Sequence, residues 1–375
     1  MKVQLQFEKK PLLFKDPKFI IACYDPALIR AAFRDIEFAL SSGYYLAGFL
    51  AYEAGYVFEK KLYQDKRYDF PLVYLGAYKG FERETLPAPG GGCGLRNLRL
   101  NIARDRYFLN IEKIRDYIAL GDVYQITYCF KLCFELAGEP LALYYRLLEE
   151  QPVPYPAYLQ TDGFQILSLS PELFLKKQAD FILTKPMKGT WPRGNSALSD
   201  FFAPLCLKYD RKNRAENVMI ADLLRNDLGR LGDCIKAPAL FEVARYKTLC
   251  QMTSTVVGRV SKDIPIVDLF ASIFPSGSVT GAPKIRAMQI INELEESERN
   301  IYTGAIGYIT PEKDLFFNIP IRTVLVNGGQ SGFKPAQMGI GGGIVWDSTP
   351  AGEWNEGLLK ARFLTDLAGR AFCPA

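Results

Sequence analysis

The alternation of apolar and polar positions along the chain predicts long β-strands. Residues 123–136 alternate without a break, with apolar side chains on one face and Gln125, Thr127, Cys129 and Lys131 on the other. Because successive side chains of a strand point to opposite faces, this segment presents a polar face to solvent or to a site. The patterning predicts further strands at 155–161, 164–170, 181–184, 305–310 and 315–326.

A period of 3.6 residues in the apolar positions predicts helices between these strands. Ile111, Ile114 and Ile118 share such a spacing, and it recurs at 214–227 and at 284–296. Strands that come in runs and are mixed with helices indicate an α+β or α/β sandwich. They do not indicate a parallel doubly wound sheet, in which single strands alternate with helices.

Proline and glycine residues at 87–94 predict a flexible connector, since no Gly-Lys-Ser/Thr follows them to form a phosphate loop. We therefore expect residues 1–95 to form a short N-terminal region that packs on the same domain as the rest. Residues 96–371 are expected to form the main domain.

Composition excludes several classes of protein. The 375 residues are 49% hydrophobic and carry a net charge of only +5, without a basic run that would bind nucleic acid. The amino end lacks the apolar region of a signal peptide, and no apolar run reaches the roughly 18 residues needed to span a membrane. The eight cysteines form no Cys-x-x-Cys pair, which favours reduced thiols and a cytoplasmic location.

The chain contains no histidine. Nucleophile pairs that use His, zinc fingers and His-ligated metals are therefore excluded. Any acid, base or nucleophile must be a carboxylate, Lys, Tyr or Cys. Any metal must be hard and bound by oxygen, which favours Mg²⁺.

A glycine-rich segment near the carboxyl end is the first candidate site. Three successive glycines, Gly341 to Gly343, predict a turn whose N–H groups approach an anion closely. Pro350 suits the first position of a helix, and Glu353 and Glu356 then share one face of its first turn. This pattern suggests an anionic ligand held through a divalent cation. The alternative is a loop followed by a helix whose acids favour its positive end.

Four other features could carry chemistry, each with a structural alternative. Residues 275–284 build an exposed helix N-terminus, which is an anion site or an ordinary cap. Arg322 interrupts an apolar strand and needs a buried partner or a ligand carboxylate. Glu216 opens a highly charged helix, which is a solvated face or a source of one more metal ligand. Glu172 follows a strand at a proline-marked bend and is a candidate general acid.

Taken in this order, these segments resemble the chorismate-utilising enzymes over about residues 100 to 370, with a weaker match at 48–54. The resemblance implies one α/β sandwich, an anthranilate synthase component I-like chorismate-binding fold, with the active site between its stacked sheets. Residues 96–371 would be the chorismate-binding catalytic domain.

The resemblance also implies a magnesium site. Glu216 and Glu356 would bind Mg²⁺, and Glu353 would act through water. The ion would hold the ring carboxylate of chorismate, assisted by backbone groups of Gly341, Gly342 and Gly343 and by Lys360.

It implies in addition a second carboxylate site and an acid. Arg322 and Tyr308 would grip the enolpyruvyl carboxylate, and Ser278 and Thr280 would line the same pocket. Glu172 would protonate the departing 4-hydroxyl group.

Two positions discriminate among members of the family. Gln125 stands where members that activate water have Lys, which argues against isochorismate or salicylate formation. Lys188 matches the members that place nitrogen at C4, whereas anthranilate-forming members have a small residue there. The amine of Lys188 would attack C2 while the 4-hydroxyl leaves, and ammonia would then attack C4. Lys188 must be neutral for this, through desolvation or a nearby cation such as Lys185; the alternative is a surface lysine in a basic loop.

The resemblance therefore implies amination of chorismate at C4. Because a glutaminase needs a Cys-His pair, we expect ammonia from a separate glutamine amidotransferase subunit. Two alternatives stay open: an anthranilate-forming component, and a catalytically silent chorismate-binding protein. Gln251 stands where many anthranilate-forming members have His, and Asn213 where some relatives have an acid.

Overall fold

The computed structural model describes residues 1–246, 249–328 and 332–368. In chain order its strands are β1 (Lys2–Phe7), β2 (Lys10–Phe14), β3 (Phe19–Cys23), β4 (Tyr45–Leu50), β5 (Val73–Tyr78), β6 (Gly94–Leu100), β7 (Gln125–Ala137), β8 (Tyr155–Gln160), β9 (Phe164–Ser170), β10 (Leu173–Gln178), β11 (Phe181–Lys185), β12 (Met187–Pro192), β13 (Gly232–Arg245), β14 (Leu249–Val260), β15 (Gly281–Ala282), β16 (Ala305–Ile309), β17 (Leu315–Asn318), β18 (Thr323–Asn327) and β19 (Phe333–Ile344). The helices are α1 (Ile29–Ser41), α2 (Ala54–Phe58), α3 (Arg104–Ala119), α4 (Pro140–Glu150), α5 (Ala197–Tyr209), α6 (Arg211–Gly229), α7 (Ile266–Ile273), α8 (Lys284–Leu294) and α9 (Pro350–Thr365).

The described strands form two antiparallel sheets. The first has the order β15-β7-β19-β18-β9-β8-β1-β2, with β6 also paired to β7. The second has the order β12-β14-β11-β10-β17-β16-β4-β5-β3, with β13 also paired to β14. The sandwich of stacked sheets expected from the strand runs is thus confirmed.

Strands from the first 95 residues belong to both sheets. β1 pairs with β8 in the first sheet, whereas β4 pairs with β16 in the second. The connector at 87–94 leads directly into β6. The expected carboxyl boundary of the main domain, 371, lies outside the described residues.

Apolar side chains fill three layers. Helices α3, α4, α8 and α9 pack on the first sheet, and α1, α6 and α7 pack on the second. Between the sheets, Leu5 and Leu325 of the first meet Phe49 and Phe316 of the second. Among the helices of the described ranges, none combines the length and the apolar character that crossing a bilayer requires.

Strand β7 confirms the strand predicted from the alternation at 123–136, and its long partner β19 corrects another prediction. Gly341 to Gly343 continue β19, paired with β7 as far as Ile344, and do not form a turn. The glycines are required because β7 lies so close. A β-carbon at Gly341 would collide with the backbone of Tyr128, and one at Gly343 with the amide of Gln125.

Two further strand predictions differ from the structure. The strand expected at 315–326 is two strands, β17 and β18, because residues 319–322 leave the sheet at Pro320 and Arg322 has a φ of +52°. The segment at 187–192, for which no strand was predicted, forms strand β12 and pairs with β14. Residues of β14 that are distant in sequence provide that pairing, so local patterning does not indicate it.

Candidate active site

A cavity of about 320 Å³ lies between the two sheets, within the range of small-molecule sites. The first sheet contributes β7 and β19 to its wall, and the second contributes β12 and β14. Helices α6 and α9 close it with acidic side chains. Most of the expected site residues line this cavity, namely Glu172, Lys188, Glu216, Ser278, Arg322, Gly341, Gly342, Gly343, Glu353, Glu356 and Lys360.

Glu172 lies at the bend between β9 and β10 and is 2% exposed. Its Oε1 accepts hydrogen bonds from Ser278 Oγ at 2.6 Å and from the backbone N–H of Met187 at 3.1 Å. Burial raises the pKa of Glu172 to about 7, although these bonds and nearby Lys188 oppose the shift. A large fraction of this side chain is therefore a neutral acid near neutral pH, as a proton donor requires.

Lys188 extends from β12 into the same cavity. A β-carbon at Gly343 would lie 3.2 Å from its Nζ, which places the amine against β19. Desolvation lowers the pKa of Lys188, and the charge of Lys360 lowers it further, whereas Glu216 opposes the shift. The cation beside Lys188 is thus Lys360. Lys185 was suggested as the cation that lowers the pKa of Lys188. It lies at the end of β11, and its Nζ instead pairs with Glu242 at 3.0 Å.

The first turn of α9 carries two carboxylates, as expected. Thr349 caps the helix by accepting a hydrogen bond from the N–H of Gly352 at 3.2 Å, and Pro350 occupies its first position. Glu353 Oε1 accepts a hydrogen bond from Ser348 Oγ at 2.6 Å, but its Oε2 is buried and has no hydrogen-bond partner.

The third carboxylate, Glu216, extends from α6 toward the same space. Burial raises the pKa of Glu216 and that of Glu353. Glu356 behaves differently, since Lys360 Nζ lies 2.8 Å from it and lowers its pKa. Lys360 also donates to the carbonyl of Gly341 at 2.8 Å, so it joins α9 to β19.

These oxygen donors fit a hard divalent cation. No three acidic or cysteine side chains of the described residues converge closely enough to form a ready-made metal site. The orphaned Oε2 of Glu353 nevertheless lacks the partner that a buried carboxylate oxygen needs. A cation such as Mg²⁺, which favours carboxylate ligands, would supply that partner.

Arg322 presents a buried guanidinium to the cavity. It is 8% exposed, and its Nη2 donates to Gln251 Oε1 at a long 3.4 Å. Its Nη1 has no hydrogen-bond partner, and burial lowers its pKa to about 10. Among the described residues no acidic side chain pairs with Arg322, so the alternative of a structural ion pair is not observed. The free donors are suited to a ligand carboxylate.

Three expected site residues lie elsewhere. Tyr308 alternates to the other side of β16, where it packs on Phe14 and Phe316 and lines a separate groove. Thr280 is fully buried behind the wall and donates to the carbonyl of Ser276 at 3.0 Å. Gln125 is buried beside Gly343, and neither its amide nitrogen nor its amide oxygen has a partner.

Sequence reasoning missed several residues of the wall, among them two that carry groups a ligand could use, Tyr302 and Lys212. Tyr302 is the tyrosine that lines the cavity, and Lys212 lines it from α6. Lys212 had a usable signal, since it stands four residues before Glu216 on a helix. Tyr302 had none, because it lies in an irregular segment before β16 and only the packing of the sheets brings it to the site.

Comparisons with known proteins agree with this geometry. The family described as chorismate binding enzyme matches residues 82–366. Aminodeoxychorismate synthase component 1 of Bacillus subtilis is 40% identical over 68% of this chain and 54% of its own length. Anthranilate synthase component 1 of Streptomyces coelicolor is 36% identical over 75% of this chain and 55% of its own length.

Solved structures show the fold. Anthranilate synthase component I from Streptococcus pneumoniae superposes with a TM-score of 0.80 at 24% identity, covering 96% of this chain and 92% of its own. The chain spans about half the length of the Bacillus subtilis and Streptomyces coelicolor relatives. Because the family match extends over well more than half of the sequence, the chain belongs to the chorismate-binding enzymes.

Proposed function

We propose that this chain is the chorismate-aminating component of aminodeoxychorismate synthase. It would convert chorismate and ammonia to 4-amino-4-deoxychorismate and water, in a Mg²⁺-dependent reaction through a covalent adduct of Lys188 at C2. The observation that carries the proposal is the desolvated amine of Lys188 in the same cavity as the buried acid Glu172. The 40% identity to a relative named for this activity supports it.

Chorismate carries two carboxylates, and the cavity has two regions that suit them. The free donors of Arg322 would bind the enolpyruvyl carboxylate, and Tyr302 would line the same cavity in place of Tyr308. Lys360 and the backbone of Gly341 to Gly343 would face the ring carboxylate.

Glu216, Glu353 and Glu356 would hold the Mg²⁺. When bound, the ion would neutralise the ring carboxylate beside these glutamates, which would otherwise repel it. Gly342 leaves space for this arrangement, because a β-carbon there would lie 3.1 Å from Glu353 Oε2.

The chain's own residues account for the bonds that change. Neutral Lys188 Nζ forms a bond to C2 while the bond from C4 to the hydroxyl oxygen breaks, and that oxygen leaves as water with the proton of Glu172. The Glu172 carboxylate then takes up the proton that the alkylated amine releases. Ammonia forms the C4–N bond while the C2–N bond breaks, and the departing Lys188 nitrogen takes the proton of Glu172 and returns to its amine form. The Glu172 carboxylate then takes one proton from the new ammonium at C4, which restores the acid. The ring double bonds end where they began.

Ammonia would come from a separate glutamine amidotransferase subunit. The name of the Bacillus subtilis relative, component 1, supports a second component. The product would be one step short of para-aminobenzoate, and the reaction would belong to folate biosynthesis.

Anthranilate synthase component I is the second candidate. The 36% identity to the Streptomyces coelicolor protein favours it, since this value is close to that of the first candidate. A silent protein that binds chorismate without turnover is the remaining alternative.

One incubation separates these functions. The purified chain is mixed with chorismate, MgCl₂ and an ammonium salt, and the products are identified by mass spectrometry. We expect 4-amino-4-deoxychorismate, which added aminodeoxychorismate lyase converts to para-aminobenzoate. Fluorescent anthranilate formed without any lyase would support the second candidate. Bound but unconsumed chorismate would support the silent protein.

A further inference from the structure

Arg299 lies directly behind the wall of the cavity, in the segment between α8 and β16, and is 3% exposed. Its Nε and Nη2 donate to the carboxylate of Glu295 at 2.9 and 2.7 Å. Its Nη1 donates to the carbonyl of Val279 at 2.8 Å and to Thr303 Oγ1 at 3.2 Å, and its Nη2 donates to the carbonyl of Thr127 at 2.6 Å. All five N–H groups of the guanidinium are thereby used.

The three acceptors other than Glu295 belong to three separate parts of the cavity wall. Thr127 lies in β7, Val279 follows Ser278 in the loop before β15, and Thr303 follows Tyr302. The segment of Val279 also contacts β7 directly, since β15 pairs with β7 and the N–H of Thr127 donates to the carbonyl of Thr280 at 2.7 Å. Arg299 adds hydrogen bonds from one rigid, planar group to both of these segments and to Thr303.

The pair with Glu295 satisfies two of the five N–H groups, and the acceptors of the other three are what connect Arg299 to the site. Glu295 stands four residues before Arg299, and their pair alone neutralises both buried charges. Glu295 Oε1 also accepts from the backbone N–H of Cys129 at 2.9 Å, which anchors the carboxylate to β7. The bonds to the wall are additional, and each ends on a residue that lines the cavity.

We propose that Arg299 is a positioning residue: through Val279 it holds Ser278 where the Ser278 hydroxyl can donate to Glu172. The hydrogen bond from Ser278 Oγ to Glu172 Oε1, 2.6 Å long, orients the carboxyl group that protonates the leaving hydroxyl. This inference rests on the proposed amination, since turnover is its readout. Arg299 touches neither substrate nor reacting atoms.

The test is a double-mutant cycle with Ser278. Arg299→Lys keeps a positive charge beside Glu295 but cannot reach all the acceptors, and it is made in the parent and in a Ser278→Ala background. We expect kcat with chorismate and ammonium to fall about tenfold or more in the parent, since small misplacements of catalytic groups have such effects. The KM for chorismate should change much less. In the Ser278→Ala background the same substitution should change kcat less than about twofold.

Arg286→Lys is the matched control. Arg286 also pairs with a carboxylate through two of its nitrogens, since Nε and Nη2 donate to Asp122 Oδ2 at 3.2 and 2.6 Å, but it lies on α8 away from the cavity. Arg286→Lys should leave kcat unchanged in each of the two backgrounds. Should Arg299→Lys fail to fold, Thr303→Val repeats the cycle, because it removes one bond of the same guanidinium.

An equal loss of kcat in both backgrounds would show that Arg299 acts only on the general stability of the fold, and an unchanged kcat would remove any role. Failure of the proposed function gives a different result: the parent itself would form no 4-amino-4-deoxychorismate.

Discussion

The environment of Lys188 decides whether its amine can act as a nucleophile. Desolvation between the sheets and the nearby charge of Lys360 both favour the neutral form, against the attraction of Glu216. The sequence indicated the residue but suggested Lys185 as its neighbour. That neighbour depends on how β12 and α9 pack, which no local pattern records.

Substitution of Lys188 tests the covalent step. We expect Lys188→Ala to lose amination on the order of a thousandfold or more, because the nucleophile is removed. After incubation of the parent with chorismate and no ammonia, intact-protein and peptide mass spectrometry should find an adduct on Lys188. Lys185→Ala breaks only a partly exposed ion pair and serves as the control. It should keep both the amination activity and the adduct on Lys188. An adduct on another lysine would contradict the assignment.

Glu172 predicts a dependence on pH. Its pKa of about 7 means that the proton donor is present at lower pH and is lost as pH rises through that value. Since the pKa of Lys188 is lowered, its neutral form grows as pH rises, so kcat/KM should pass through a maximum. Glu172→Gln should lower kcat by about a hundredfold or more and remove the alkaline decline.

The control for this profile is Glu112→Gln, on the exposed face of α3, which should reproduce the profile of the parent. An alkaline decline that persists unchanged in Glu172→Gln would assign the proton donor to another group.

At the level of elements, β19 and α9 together form the acidic part of the site. The glycines of β19 were identified from the sequence, but as a turn. They are strand residues because β7 pairs with them along their whole length, and the missing β-carbon of Gly342 leaves room for Glu353 and Glu356 of α9. The start of α9 at Pro350 and the shared face of Glu353 and Glu356 were predicted correctly, because both depend on local geometry.

Gly342→Ala tests this close contact. The added β-carbon would lie 3.1 Å from Glu353 Oε2 and 3.4 Å from Glu356 Oε1, so the two carboxylates must shift. We expect the affinity for Mg²⁺ to fall about tenfold or more in calorimetric titrations of the protein with MgCl₂ alone. Gly229→Ala, at the end of α6 with no atom within 4 Å of its new β-carbon, is the control and should bind Mg²⁺ as the parent does. Equal affinity in Gly342→Ala would place the metal elsewhere.

For the whole molecule, the two sheets join the amino-terminal strands to the catalytic part. Leu5 of β1 is fully buried and lies in the apolar layer between the sheets, in contact with the same cluster as Phe49 and Leu325. Residues 1–95 therefore complete the sandwich, and disturbing them should affect residues far along the chain.

Leu5→Ala measures this coupling. Loss of the buried side chain should lower the free energy of unfolding by about 2–5 kcal/mol. Urea denaturation followed by tryptophan fluorescence reports on the distant part, since Trp191, Trp346 and Trp354 all follow residue 95. In Leu5→Ala the unfolding transition seen by fluorescence should shift together with the transition seen by far-ultraviolet circular dichroism. Phe38→Ala, at a 69% exposed position, should change stability by less than about 0.5 kcal/mol; a fluorescence transition unmoved by Leu5→Ala would indicate separate folding.

Local order in the chain was sufficient for helices α3, α6, α8 and the start of α9, for strands β7, β8, β9, β11 and β16, and for the candidate chemistry of Glu172 and Arg322. These follow from periodicity, turn residues and charged groups in apolar surroundings, which are interactions between near neighbours. The pairing of β12 with β14 and of β19 with β7, the position of Tyr302 rather than Tyr308 in the cavity wall, and the hydrogen bonds of Arg299 to that wall required the folded chain. Each brings together segments far apart in sequence, and the packing of two sheets against each other is what determines which side chains meet.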